Sequence, residues 1–155
     1  MEKTISIGGK DVRLNNNITW TLIYREQFGK DIIQTLMPAL AATMDIISGL
    51  IGNGEIDKEL NVTDIFEKLD GDYLIDAVAH IGGLEFGDLL DITWALAKTA
   101  DASTPDPVTW AKQFDSFYVD EVAPEVFRLI VSGVISSKNL KRLKSLKKAI
   151  RPMKK

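Results

Sequence analysis

Hydrophobic positions near the amino end of the chain repeat every second residue. In the stretch TISIGGKDVRLNN, the apolar residues that alternate with polar ones on the two sides of a Gly-Gly pair are Ile5, Ile7, Val12 and Leu14. A period of two predicts strands, and the intervening Gly8-Gly9 predicts a tight hairpin turn. Because an isolated hairpin is only marginally stable in water, we expect it to pack on the helices that follow.

From residue 17 onward the apolar positions recur at helical intervals. In NITWTLIYREQFGKD, Asn17 is a suitable N-cap and Gly29 a suitable C-cap for a first helix. A second helix is predicted to begin at Asp31, to kink at Pro38 and to end in the region 52–54. Together these signals predict two consecutive helices directly after the hairpin.

The remaining apolar periodicity predicts four further helical segments. The third covers residues 61–83 with a break near Gly71, and the fourth covers residues 86–101. Asp106-Pro107 predicts the start of a fifth that runs to Phe117, and a sixth covers residues 120–136. The fold class is therefore mostly α: a small N-terminal β-hairpin followed by five to seven helices, forming one domain over residues 1–137.

The last 18 residues, 138–155, form a basic amphipathic tail. They contain nine Lys or Arg residues and no acidic residue, whereas residues 1–137 hold ten basic and 22 acidic residues, a net charge of −12. The apolar residues at helical intervals in the tail are Leu140, Leu143, Leu146 and Ile150. An acidic body disfavours nucleic acid as a partner. We expect the tail to dock on an acidic surface of its own or a neighbouring subunit. The residues predicted to mediate this partner binding or self-association are Leu140, Lys141, Arg142, Leu143, Lys144, Leu146, Lys147 and Lys148.

Composition narrows the classes of protein that the chain can represent. It has 155 residues, 45% of them hydrophobic, which predicts one folded domain. The absence of cysteine excludes disulfides, thiolate metal sites and cysteine nucleophiles. Its longest uncharged stretch, residues 32–44, is shorter than the ~20 apolar residues of a membrane span. We therefore expect a soluble protein without membrane partners.

The titratable residues offer little chemistry. His80 is the single histidine and is interpreted as a structural residue near a helix end, because metal ligands and catalytic bases occur in constellations. The carboxylates that could pair are Asp70 with Asp72, and Glu85, Asp88 and Asp91 at helical intervals. We interpret them as a solvated acidic face. The sequence accordingly predicts no catalytic, metal or cofactor site, and no enzyme.

Aromatic residues cluster in the second half of the chain. The set considered for base stacking or a partner groove is Trp20, Trp94, Trp110, Phe114, Phe117 and Tyr118. Aromatic residues at helical spacing more often belong to the core, since each buries ~150–250 Å². We therefore predict a core role, with Trp110 and Phe114 on one helical face and Phe117 a turn further.

One block of residues resembles a known family. The segment LLDITWALAKTAD, the link ASTPDP and the segment VTWAKQFDSF resemble a block in tail assembly chaperones of long-tailed phages and prophages of Gram-positive bacteria. The matching residues are Trp94, Ala95, Ala97, Lys98, Ala100, Asp101, Trp110, Phe114, Asp115 and Phe117. The N-terminal hairpin and YREQFG are similar to the family as well, so the resemblance covers residues 1–130.

The resemblance implies a non-catalytic binding protein of the host bacterial cytoplasm that is absent from the mature virion. Such chaperones coat the tape measure protein, keep it soluble and self-associate. A longer form made by ribosomal frameshifting recruits tail tube subunits, and this chain would be the short form. Two alternatives stay open on the residues alone: a nucleic-acid-binding adaptor using the basic tail, and an enzyme of unrecognised type using the paired carboxylates.

Overall fold

The structure is a computed structural model that describes residues 1–52 and 85–134. The elements in these two ranges are β1 (Glu2–Ile7), β2 (Lys10–Asn15), α1 (Thr19–Phe28), α2 (Ile32–Gly52), α3 (Phe86–Ala100), α4 (Pro107–Ala111) and α5 (Val119–Val134). The fold is mostly helical with an N-terminal antiparallel hairpin, as the sequence predicts. The predicted third helical segment, His80, Asp70, Asp72 and the basic tail lie outside the described residues.

The hairpin turn follows directly from its two glycines. Ile7 pairs with Lys10, so Gly8 and Gly9 form a two-residue loop, with φ of 56° and 82°. Positive φ at both central residues matches the right-handed twist of the strands and favours glycine. A Cβ atom at Gly8 would also lie 2.7 Å from the carbonyl oxygen of Ser116. This turn therefore requires glycine at Gly8 for two independent reasons.

The hairpin is fastened to α5 by the side chain of Asn16. Its Nδ2 donates to the carbonyl oxygen of Leu129 at 2.9 Å and to Oγ of Ser132 at 3.1 Å. Its Oδ1 accepts from the amino terminus of Met1 at 3.0 Å. Asn16 is buried, and a buried amide is stable only when its polar atoms have partners. These contacts hold β2 and the carboxyl half of α5 together, as expected for a hairpin that packs on the helices.

The ends of α1 and the start of α2 follow the predicted signals closely. Gly29 has φ of 74° at the C-cap of α1, and its N–H donates to the carbonyl oxygen of Arg25 at 2.8 Å. Asn17 Oδ1 accepts from the N–H of Thr19 at 3.0 Å, although the N-cap position itself is Ile18, one residue later than predicted. Asp31 precedes α2, and its Oδ1 accepts from the N–H of Ile33.

The core lies around α3, which packs against β2 and α1. The side chains of Trp20, Trp94 and Trp110 are 0%, 3% and 4% exposed, so the predicted core role of the tryptophans is confirmed. Phe114 and Phe117 are partly buried against this core. Tyr118 is the exception among the six aromatic residues, because 56% of it is exposed.

The predicted fifth helix is too long. Helix α4 begins at Asp106-Pro107 as predicted but ends at Ala111, so Phe114 and Phe117 lie beyond it. The N–H of Phe114 donates to the carbonyl oxygen of Ala111, three residues back, which closes a turn in place of the next helical turn. The centroids of the Trp110 and Phe114 rings are 4.9 Å apart, so these two rings are in contact. Phe117 packs instead against the ring of Phe86 on α3. The shared helical face predicted for these aromatic residues is therefore wrong, although the contact between the first two is made.

Candidate functional site: an apolar groove

An apolar groove lies between α2, α3 and α5 and encloses a volume of about 180 Å³. Its lining residues come from all three helices. They are Leu36 from α2, Glu85 with Phe86, Leu89 and Ile92 from the start of α3, and Val119, Ala123, Val126, Phe127 and Ile130 from α5. We call this feature the apolar groove.

Helical periodicity explains why these side chains share one surface. The lining residues of α5 recur at intervals of three or four, which places them on one face of the helix. Residues 86, 89 and 92 do the same along α3. The floor of the groove is fully buried, since Leu36, Ile92 and Ile130 are each 1% exposed. The groove is thus a continuation of the hydrophobic core toward the surface.

One end of the apolar groove carries large exposed apolar side chains. Phe86 is 54% exposed and Val119 is 43% exposed. The ring of Phe117 lies edge-on to that of Phe86, with centroids 5.6 Å apart. The next residue, Tyr118, is more than half exposed. Apolar side chains grouped at the mouth of an apolar groove mark a surface suited to binding another polypeptide.

Charged residues of both signs lie near the apolar groove, because Lys30 bonds to Asp88 beside Glu85 at the start of α3. Glu85 is the single charged residue among those that line it. Asp120 and Glu121, in the first turn of α5, directly follow Val119 in the chain and are exposed. At helical spacing Asp120 lies at the edge of the face of α5 that lines the groove, whereas Glu121 lies on the opposite face.

Two of the carboxylates that were predicted to form a solvated acidic face are half-buried, and Asp88 has structural partners. Asp88 is half-buried, and its Oδ1 accepts from the ammonium of Lys30 at 3.0 Å. Its Oδ2 accepts from the N–H of Glu85 at 3.0 Å, which satisfies a free donor at the start of α3. Asp91 is half-buried as well. The interpretation of Asp88 and Asp91 as solvated is therefore wrong, and only Glu85 of the three is exposed.

Burial raises the pKa of two titratable groups near the Lys30–Asp88 ion pair. Burial raises the pKa of Asp91, the nearby Asp88 carboxylate adds to the effect, and Lys30 opposes it. Burial also raises the pKa of Tyr24, and the nearby ammonium of Lys30 opposes this shift. Tyr24 and Asp91 therefore share an environment with Lys30 and Asp88, where α1 packs on α3. Asp91 also lines a cleft of about 330 Å³ beside α4.

Three of the residues that carry the family resemblance, Trp94, Lys98 and Asp101, form hydrogen bonds that hold the loop between α3 and α4, which we call the α3–α4 loop (residues 101–106). The indole Nε1 of Trp94 donates to the carbonyl oxygen of Pro105 at 2.8 Å. The ammonium of Lys98 donates to the carbonyl oxygens of Ala102 and Thr104, both at 2.7 Å. These bonds satisfy carbonyl groups that follow the carboxyl end of α3. Because Trp94 and Lys98 are one helical turn apart, both side chains reach the same loop.

Two aspartates complete the α3–α4 loop. Asp101 Oδ1 accepts from the N–H and Oγ of Ser103 at 3.0 and 2.6 Å, and these bonds lower the pKa of Asp101. Asp106 is the N-cap of α4 and accepts from the N–H and Oγ1 of Thr109, which lowers the pKa of Asp106. Asp101 and Asp106 thus form hydrogen bonds with residues that directly follow them in the chain.

A second, more polar cleft of about 300 Å³ separates β2 from the α3–α4 loop. Its charged residues include Arg13 and Asp101, whose side chains approach to 4.0 Å. Over residues 1–52 and 85–134, no group of three or more metal-binding side chains comes together. In the same two ranges, no helix has the length and apolar character needed to cross a membrane.

The predicted and observed candidate sites do not coincide. The tail residues Leu140, Lys141, Arg142, Leu143, Lys144, Leu146, Lys147 and Lys148 lie outside the described residues. The sequence interpretation missed the apolar groove, although the one-sided apolar stripe of residues 119–130 was a signal for it. Such a stripe is expected of any helix that packs on a core. Whether part of it stays exposed, as Val119 does, depends on how α2, α3 and α5 pack.

Comparison with known proteins adds no further assignment. No family model matches the chain, and neither a curated protein nor a solved structure is similar to it at a significant level. Functional inference for this chain therefore rests on its own residues and on the apolar groove.

Proposed function

We propose that this chain is a tail assembly chaperone of a long-tailed phage or prophage, which binds the tape measure protein and keeps it soluble during tail assembly. The resemblance of residues 1–130 to that family motivates the proposal. The apolar groove is the observation that supports it most directly, because a non-catalytic chaperone needs an apolar surface for its client.

The groove has the features that suit a helical client. Helix-in-groove recognition places apolar side chains of the client, spaced at i, i+3 or i+4 and i+7, into a hydrophobic cleft. Here the walls are two helices, α3 and α5, and the floor is the buried core. Phe86 and Val119 are exposed at the mouth, where they are available to a client side chain. A long helical tape measure protein offers many such sites to many copies of the chaperone.

The wider role follows from the same resemblance. In this proposal the chain is the short form of the chaperone, and it self-associates along its client. A longer frameshifted form recruits tail tube subunits, and both forms leave before the virion is complete. Assembly takes place in the cytoplasm of the bacterial host, without catalysis and without a cofactor.

Co-expression with the tape measure protein encoded in the same genome tests the proposal. The full chain should raise the fraction of tape measure protein that stays in the supernatant, and should copurify with it. The variant Phe86→Ser/Val119→Ser, which makes the mouth of the groove polar, should abolish both effects. The matched control is Ile18→Ser/Leu22→Ser, because these two residues are equally exposed but lie at α1, away from the groove.

Three results would count against the proposal. Tape measure protein that is equally insoluble with and without the chain would remove the chaperone function. Equal loss of solubility in both double variants would show that exposed apolar side chains act without regard to the groove. Saturable DNA binding that is lost between ~50 and ~200 mM salt would favour the nucleic-acid adaptor instead.

A further inference from the structure

The cleft between β2 and the α3–α4 loop, which we call the polar cleft, runs along an edge of the hairpin. It contacts four consecutive residues of β2, namely Lys10, Asp11, Val12 and Arg13. Because successive side chains of a strand point to opposite faces, a cleft that contacts all four lies along the edge of the strand. Strand β1 occupies the other edge of β2, so the polar cleft follows the outer edge.

Backbone groups of β2 point toward this outer edge. In an antiparallel pair of strands, residue pairs that exchange both backbone hydrogen bonds alternate with pairs that exchange none. The two-residue loop makes Ile7 and Lys10 a bonded pair. Asp11 and Arg13 therefore direct their N–H and C=O groups away from β1. Within the described part of the chain, these backbone groups have no hydrogen-bond partner.

The far wall of the polar cleft limits what can bind there. That wall is the α3–α4 loop, which contributes Asp101, Ser103, Thr104 and Pro105. The volume of about 300 Å³ is at the lower end of the range for ligand pockets. A strand paired with β2 would lie about 4.8 Å from it, and the loop leaves no place for a second strand beyond. The hairpin of another copy, which brings two strands, is therefore too large.

The lining residues favour a peptide segment without net charge. The charged residues that line the polar cleft are two bases and two acids, namely Lys10, Arg13, Asp11 and Asp101. The partly exposed side chains of Val12 and Phe114 offer contact to one apolar side chain. Arg13 and Asp101 approach to 4.0 Å across the cleft, but about half of each side chain is exposed. An exposed ion pair of this kind contributes little, so a ligand can displace it.

We propose that the polar cleft binds a single extended peptide segment of a partner protein, which adds to β2 as a third strand. The N–H and C=O groups of Asp11 and Arg13 bond to the backbone of the segment, in the manner of strand addition at a sheet edge. One apolar side chain of the segment packs against Val12 and Phe114. The polar cleft is separate from the apolar groove, and this inference does not depend on the proposed chaperone function.

Proline substitutions at the two edges of the hairpin test this proposal in the full chain. Arg13→Pro removes an outward N–H of β2 and leaves the hydrogen bonds to β1 in place, because Arg13 belongs to a pair that exchanges none. Thr4→Pro is the matched control, since Thr4 pairs with Arg13 and directs its N–H away from β2. Arg13→Ala removes the guanidinium alone and controls for the lost charge.

The probes are fluorescein-labelled heptapeptides selected from a random displayed library on the full chain. Fluorescence polarisation should show binding weakened about tenfold or more by Arg13→Pro, because a backbone acceptor of the peptide loses its donor. Thr4→Pro and Arg13→Ala should bind within about twofold of the natural chain. Equal affinity of Arg13→Pro and the natural chain would overturn the proposal, and so would a selection that enriches no peptide.

Amide hydrogen exchange in the natural chain gives a second test, which decides alone if Arg13→Pro fails to fold. A saturating selected peptide should slow exchange at the N–H groups of Asp11 and Arg13 at least about tenfold. Exchange at Thr4 and Ser6, on the edge of β1, should not change. Unchanged exchange at Asp11 and Arg13 would overturn the proposal, whether or not Thr4 and Ser6 become protected.

Discussion

The α3–α4 loop and the apolar groove use their side chains in opposite ways. In the loop, Trp94, Lys98 and Asp101 all bond to atoms within residues 94–105. In the groove, Phe86 and Val119 leave about half of their apolar surface in contact with solvent. The loop side chains therefore stabilise the fold, whereas Phe86 and Val119 at the groove expose apolar surface to solvent.

The sequence motif and the proposed binding site therefore lie in different parts of this protein. The residues on which the resemblance depends include the indole of Trp94 and the ammonium of Lys98, whose hydrogen bonds hold the loop. A groove for an apolar client needs only hydrophobic side chains of suitable size, and several residues meet that requirement. The sequence pattern thus indicates the loop, whereas the proposed binding surface is the apolar groove.

The largest effect on stability is expected at Trp110 of α4, whose buried ring contacts that of Phe114. Trp110→Ala should lower the free energy of unfolding by about 3–5 kcal/mol, because it removes a buried indole and leaves a cavity. Chemical denaturation measures the change. Val108→Ala, at a residue of α4 that is 65% exposed, should stay within about 0.5 kcal/mol of the natural chain. Equal stability of the two variants would contradict the core role of Trp110.

The next largest effect on stability is expected at Lys98, the residue of α3 whose ammonium bonds to the α3–α4 loop. Lys98→Met removes the donor to the carbonyl oxygens of Ala102 and Thr104 and should cost about 1.5–3 kcal/mol. Lys112→Met makes the same chemical change at an exposed residue just after α4 and should cost less than about 0.5 kcal/mol. Thermal unfolding of both variants gives the comparison, and matching melting temperatures would show that the ammonium does not hold the loop.

A smaller effect on stability but a large one on binding is expected at the groove. Phe86→Ser/Val119→Ser should lower the free energy of unfolding by about 1.5–2.5 kcal/mol, since about half of each side chain is buried. Client retention should nevertheless be lost. A loss of several kcal/mol in this variant would place Phe86 and Val119 in the fold rather than in a binding surface.

The smallest effect concerns the half-buried carboxyl of Asp91. Burial raises the pKa of Asp91 above its value in the unfolded chain, so its ionisation opposes folding as pH rises. Asp91→Asn should therefore stabilise the protein at pH 7, and the gain should vanish below the ordinary pKa range of aspartate. Unfolding curves from pH 3 to 8 test this, with the exposed Asp11→Asn as control. Destabilisation by Asp91→Asn at pH 7 would contradict the assignment.

Local signals in the sequence predicted the fold well where backbone geometry decides the outcome. Gly8-Gly9 sets the hairpin turn, Gly29 ends α1, and Asp106-Pro107 starts α4, each through a conformational preference of one or two residues. The end of α4 could not be predicted in this way. Aromatic residues at 110, 114 and 117 fit a helical period, but Phe117 packs on Phe86 of another helix, and that tertiary contact overrides the local pattern.

The candidate site was not predictable from the sequence for a related reason. Charge and periodicity drew attention to the basic tail, whose pattern is visible in consecutive residues. The groove joins residues of α2, α3 and α5 that are up to 94 positions apart, from Leu36 to Ile130. Likewise, the half-burial of Asp88 and Asp91 depends on α1, which brings Lys30 to the carboxylate of Asp88. Neither relation is encoded by spacing along one helix.

Site-specific photo-crosslinking to the tape measure protein tests the central claim most directly, namely that the apolar groove binds the client. A photoreactive phenylalanine analogue would replace Phe86 at the mouth of the groove in one variant and Val108 on α4 in the other, since both residues are large, apolar and exposed. If the client binds the apolar groove, we expect a crosslinked complex from position 86 and none above background from position 108. Crosslinking from position 108 alone, with position 86 silent, would contradict it.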